Sequence, residues 1–188
     1  MDKPKVGKPG ADTNKIRSYI ALALVAVAAI LLVAWLVSDD DDSSGGDAGA
    51  AEIVSVDSLE DAVADDPEPV YWVGEQEGTE LELSRPGEGR TYVRYLTDGA
   101  EAGDPRADFL TVGTYAHPDP VAALRRQGKE PGGVLGTAPG KAVVYFSRDQ
   151  PGSVYLAYPG VDVEIEVFDP NFTRALQLVN SGQIVPVG

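Results

Sequence analysis

The chain has 188 residues, with 15 Lys and Arg against 30 Asp and Glu, no Cys and one His. That composition excludes a disulfide framework, Cys-ligated zinc or iron–sulfur centres, a thiol nucleophile and a cysteine lipid anchor. One His excludes a His₂ or His₃ metal centre within one chain, and a formal charge of -15 argues against binding nucleic acid, which needs clustered Lys and Arg.

Residues 18–38 form a run of 21 without a charge, mostly Ala, Leu, Val and Ile. At about 1.5 Å per residue it spans a hydrocarbon core of about 30 Å, so a transmembrane helix is expected, contacting the lipid bilayer directly. Tyr19 and Trp35 fall near its two ends, where aromatic rings favour the headgroups. Lys3, Lys5, Lys8, Lys15 and Arg17 precede it and Asp39, Asp40, Asp41 and Asp42 follow. Positive residues stay inside, which makes 1–17 a cytoplasmic basic tail and puts everything after the span outside the cell. A cleaved signal peptide is the competing reading. Its apolar region would be shorter, and the small-residue site Ala48-Gly49-Ala50 lies beyond the four aspartates.

No Lys or Arg occurs between Arg17 and Arg85, and 39–69 carries twelve acids. Residues 39–56 read as a disordered acidic linker, because so little apolar area cannot offset the entropy of ordering. A short helix is expected within 55–66, with Asp57 as cap, Glu60 three residues on, and Leu59 and Val63 on one face.

Residues 57–188 read as one extracytoplasmic domain. Strands are expected at 70–73, 79–84 and 90–96, with the turn cluster Arg85-Pro86-Gly87-Glu88-Gly89 making a hairpin of the last two. That hairpin sets Glu80 and Glu82 beside Arg90 and Arg94, and Leu81 and Leu83 against Val93, with the charged side as a solvated face. Tyr71 and Trp72 point to opposite sides, so at most one is core. A strand at 109–115 precedes a helix capped by Asp119 with Pro120 at its first position and Gly128 at its end. Residues 129–140 read as a Gly/Pro-rich loop. Strands follow at 142–147, 153–158 and 161–168, then a helix opened by Asp169-Pro170 and stopped by Gly182, then a last strand at 184–187. The fold class is α+β, with a mostly antiparallel sheet and two or three helices on one side of it. Blocks 70–128 and 142–182 each run strands then a helix, a pattern open to internal duplication.

The strings Tyr71-Trp72-Val73-Gly74, Tyr92-Val93-Arg94-Tyr95-Leu96, Val112-Gly113-Thr114-Tyr115, Tyr155-Leu156-Ala157-Tyr158-Pro159-Gly160 and Glu166-Val167-Phe168-Asp169-Pro170 resemble a family of uncharacterised actinobacterial single-pass envelope proteins. The resemblance covers about 57–187. It implies a cell-envelope location and carries no activity and no catalytic residue.

Gly136 to Lys141 fails as a phosphate loop: three residues separate Gly136 from Gly140, and Ala142 follows the Lys. His117 has no nucleophile elbow to serve. Asp162, Glu164 and Glu166 share one side of a strand, about 6.5–7 Å apart. Such carboxylates could hydrolyse a glycoside or hold a cation, but an exposed strand face is the plainer reading. Tyr92, beside Arg90 and Arg94, is the best surface aromatic. Asn171-Phe172-Thr173 is a glycosylation sequon.

The expectation is a non-catalytic, membrane-anchored extracytoplasmic binding or assembly module of the cell envelope, with no catalytic residue, cofactor or metal. Its binding surface would draw on Tyr92, Arg90, Arg94, Asp162, Glu164 and Glu166, and its partner would be another envelope protein or a cell-wall glycan. The alternative is a domain that binds or hydrolyses cell-wall glycan through the strand carboxylates and exposed tyrosines. A third reading makes the basic tail the interacting part.

Overall fold

In the computed structural model, the structure describes residues 49–188 apart from Glu88. The expected tail, transmembrane helix and most of the linker lie outside the described residues. Among those described, no helix is long and apolar enough to cross a membrane.

The element order is β1 (Glu52–Val54), α1 (Val56–Val63), β2 (Tyr71–Trp72), β3 (Glu80–Gly87), β4 (Arg90–Leu96), β5 (Leu110–Ala116), α2 (Pro120–Gln127), β6 (Gly133–Ala138), a 3₁₀ turn (Pro139–Lys141), β7 (Ala142–Ser147), β8 (Ser153–Ala157), β9 (Val163–Phe168), α3 (Phe172–Ser181) and β10 (Val185–Pro186). This is an α+β domain. Eight strands form one antiparallel sheet in the order β1-β3-β4-β5-β9-β8-β7-β6. β10 and β2 pair in a separate ribbon.

The strand order is a palindrome of two meanders. β1, β3, β4 and β5 make one half, and β6, β7, β8 and β9 the other. They join through their last strands, and a helix follows each, α2 after β5 and α3 after β9. The repetition is therefore one of topology, over segments that begin earlier than 70 and 142.

Alternation along each strand divides the sheet into two faces. On the first face, Leu81, Leu83, Val93, Tyr95, Val112, Val144, Leu156, Ile165 and Val167 make one apolar core with Leu59 and Val63 of α1, Tyr71 and Trp72 of β2, and Ala175, Leu178 and Val179 of α3. α2 lies on the opposite face. A Cβ on Gly128, its C-cap, would stand 2.1 Å from Leu135 Cγ, and Leu135 is opposite Tyr145 in the β6–β7 ladder. Helices thus cover both faces rather than one.

The β3–β4 hairpin forms as expected, with Glu82 opposite Arg94, Leu83 opposite Val93 and Leu81 opposite Tyr95. Glu80, however, faces Leu96, and Arg90 faces Gly87. Asp119 caps α2 by accepting from Ala122 N, with Pro120 in the first turn, and Gly182 ends α3 at φ 76°. Ser55, not Asp57, caps α1, and Asn171, not Asp169, caps α3.

Four expectations change. β1 lies inside the segment read as linker and pairs with β3; a three-residue strand among acids leaves too little alternation to read. β6 lies inside the segment read as loop, paired with β7 along its whole length. Its glycines hide it, although Gly133 is required there, since a Cβ would meet Gln127 O at 2.7 Å. Tyr71 and Trp72 are both buried. The ribbon lies against the main sheet, with Tyr71 N donating to Thr114 Oγ1, and Tyr158 stacks on the Tyr71 ring at 5.5 Å. Finally, the expected solvated face of charges is buried.

Candidate functional site

Register carries one row of side chains across the second face. Ser84 of β3 is opposite Tyr92 of β4, Tyr92 opposite Gly113 of β5, and Gly113 opposite Glu166 of β9. Glu166 is opposite Tyr155 of β8, Tyr155 opposite Tyr145 of β7, and Tyr145 opposite Leu135 of β6. Directly paired residues in an antiparallel ladder point to the same side, so this row is a continuous strip.

Glu166 is its centre, 6% exposed. Its carboxylate accepts from Tyr115 Oη at 2.5 Å, Ser153 Oγ at 2.5 Å and Tyr155 Oη at 3.1 Å. Gly113 makes the first contact possible. A Cβ there would sit 2.7 Å from Tyr115 Oη, so only a bare backbone lets the ring fold back to reach Gly113's own pairing partner. Tyr92 meets Tyr115 edge-on at 5.8 Å, and Tyr145 meets Tyr155 at 6.1 Å.

Burial, first of all, raises the phenol of Tyr115 well above its ordinary range, with Glu166 adding to the effect. The same two causes raise Tyr155. Both therefore stay protonated at neutral pH and serve as donors to the carboxylate. Glu164 lies two residues away on the same face, opposite Tyr115. Burial, helped by the charge of Glu166, pushes its carboxyl up to about 7. Glu164 Oε2 is buried without a hydrogen-bond partner. One carboxyl is thus saturated with donors while its neighbour is held back from ionising.

A second polar knot lies toward the β3 side. Arg94, 2% exposed, and Glu82, 1% exposed, pair at 2.8 Å. Arg94 also donates to the carbonyls of Asp104 at 2.9 Å and Arg106 at 3.0 Å. Gly103 N donates to Glu82 Oε2 at 2.7 Å, and Arg94 and Arg106 both lie over the Phe109 ring. The pair clamps segment 97–109 onto the sheet. Buried charges persist only when paired and hydrogen-bonded.

The expected surface residues therefore separate. Tyr92 and Glu166 share the row, and Glu164 adjoins it. Arg94 belongs to the clamp. Tyr92, Arg94, Glu164 and Glu166 are all buried, so they do not form an exposed binding surface. Arg90 Nε donates to Gly87 O. Asp162 is exposed and lies just before β9, its carbonyl accepting from His117 N. His117 Nδ1 lies 2.8 Å from Pro118 O.

Sequence reasoning missed Tyr115, Ser153 and Gly113 as members of the site. The two-residue spacings Gly113/Tyr115, Ser153/Tyr155 and Glu164/Glu166 are visible, but only the order of strands brings them together. Among the described residues, no three His, Asp or Glu side chains converge as a metal-ligating group. Comparisons with protein-family models, with curated proteins and with solved structures return no match.

Proposed function

We propose that the chain is a non-catalytic binding or assembly module of the cell envelope, held at the membrane by residues 18–38 with its α+β domain outside the cell. One observation supports the non-catalytic part: Glu166 and the Glu82–Arg94 pair are engaged with neighbouring groups of the fold. Glu166 takes three hydroxyl donors, and Glu82 and Arg94 hold a loop. The resemblance of the sequence strings to single-pass envelope proteins, and the charge asymmetry about 18–38, support the location.

Protease treatment of intact cells tests the topology. A C-terminal tag should be cleaved and an N-terminal tag protected; the reverse pattern refutes it. The second reading, glycan hydrolysis or binding, draws on Glu164, whose carboxyl near 7 adjoins a second carboxylate, a pairing seen in glycosidases. Release of soluble sugars from purified cell wall by the wild type, lost in Glu164→Gln, would establish it in place of the first.

A further inference from the structure

Charges of opposite sign gather at the two edges of the sheet, and among the described residues the one ion pair they make is that of Asp66 with Arg85. Residues 120–148 hold five bases, Arg125, Arg126, Lys129, Lys141 and Arg148, and one acid, Glu130. All five bases are exposed, and none forms an ion pair among the described residues. They border β6. Arg148 N donates to Gly132 O at its start. Lys141 closes the turn at its end. α2, which carries the two arginines, reaches Leu135 through Gly128. The opposite edge is β1. Residues 52–68 around it hold seven acids and no base.

Both edges also present backbone and apolar side chains. Among the described residues β6 has β7 as its only neighbour and β1 has only β3. β6 has six residues with neither a charge nor a proline, lacking the devices that usually blunt an edge. Leu135 on β6 and Ile53 on β1 are each 43% exposed. An even number of antiparallel strands makes β1 and β6 run in opposite directions. A β1 laid beside a β6 therefore continues the antiparallel ladder.

We propose that the acidic β1 edge of one copy of this chain docks on the basic β6 edge of a second copy, head to tail. The contact is heterologous, so each pair keeps one free edge of each sign and can extend. The short β1 gives a short ladder, and the flanking charges fix partner and register. The inference rests on the assembly reading and names its partner.

The test uses the full-length chain in nonionic detergent, followed by sedimentation velocity. At about 0.15 M salt the screening length is about 8 Å, so edge charges in contact act while the net charge of the copies is largely screened. The wild type should self-associate, and its apparent affinity should fall about tenfold or more toward 1 M salt. R125E/R126E/K129E reverses the basic edge, and E52K/E60K/D61K reverses the acidic edge. With circular dichroism unchanged, each variant alone should be monomeric and their equimolar mixture should co-assemble in equal proportion. Leu135→Asn should weaken association without touching the charge pattern. A monomeric wild type overturns the proposal, as does a variant with a reversed acidic edge that still self-associates, since that requires β6-to-β6 or anchor contacts. A monomeric chain that cross-links specifically to a different envelope component would overturn this inference while leaving the assembly reading standing.

Discussion

Glu164 makes the stability of the domain depend on pH in a direction opposite to that of most carboxylates. Burial first, then the charge of Glu166, raises its carboxyl from an ordinary 4.5 to about 7. The folded chain therefore holds a proton that the unfolded chain has already released between about pH 4.5 and 7. Where the folded state binds more protons, stability falls as pH rises. The penalty is absent below about pH 4.5, grows through that window and is complete above about 7. A shift of this size corresponds to about 3 kcal/mol, a sizeable share of a marginal total. The groups that face Glu164 from its own and neighbouring strands are Glu166, Tyr115, Tyr145 and Tyr155; the tyrosines stay neutral across the window because their phenols are raised. Glu164→Gln keeps the shape and removes the titration. Urea unfolding, read by Trp72 fluorescence in a Trp35→Phe background, should show the midpoint of the parent falling from pH 4.5 to 8 at constant m. The Gln variant should match the parent near pH 4.5, exceed it by about 3 kcal/mol at pH 8, and show a flatter profile. A parent profile flat from pH 5 to 8, or a Gln variant with the parent's slope, would refute the reasoning.

Arg94→Met leaves Glu82 buried and unpaired and frees two loop carbonyls. It should cost about 3–5 kcal/mol in urea unfolding and raise hydrogen exchange across 97–109, whereas Glu82→Leu/Arg94→Met should cost clearly less than the sum of the single changes. Tyr115→Phe removes one donor from Glu166 and should cost about 1–3 kcal/mol. Gly113→Ala displaces the same ring, so the double variant should be less than additive, and additivity would mean that the ring does not depend on the bare backbone. Gly182→Ala forces a Cβ onto a φ of 76°, 3.1 Å from Pro139 Cβ, and should lower stability by about 1 kcal/mol, visible as a lower Tm.

The sequence made legible what local rules decide. The turn cluster at 85–89 and the opposed charges of Glu82 and Arg94 are enough to place the β3–β4 hairpin, although β3 runs on through Pro86 to Gly87, and Asp119-Pro120 is enough to start α2. What lies above a strand is not local. The alternation of Glu164 and Glu166 with Val163, Ile165 and Val167 reads as one wet face and one dry face. It cannot show that β9 is a central strand whose second face carries Tyr115, Ser153 and Tyr155 from its neighbours. The same limit applies to Tyr71 and Trp72, whose opposite directions would expose one of them if the ribbon lay at the surface alone. β6 was hidden for a different reason: its glycines carry no hydrophobic period, and the ladder with β7 defines it.

The palindromic order explains why the polar residues divide as they do. Joining the meanders through β5 and β9 puts the last strand of each half in the middle of the sheet, so the side chains there are buried on both faces. A carboxylate in that position persists only if neighbouring strands supply donors. Tyr115 comes from one half, and Ser153 and Tyr155 from the other. The first strand of each half is correspondingly pushed to an edge, where charge can remain solvated. Acids gather about β1 and bases about β6, and apart from Asp66, which pairs with Arg85, neither set is consumed by pairing within the fold as the central groups are. Glu166 and the Glu82–Arg94 pair are thus taken up inside the fold, and the charges left solvated at its two ends differ in sign. A domain built in this way has its recognition capacity at the edges, and mutations there should change association while leaving unfolding midpoints nearly unchanged. Mutations in the central row should do the opposite.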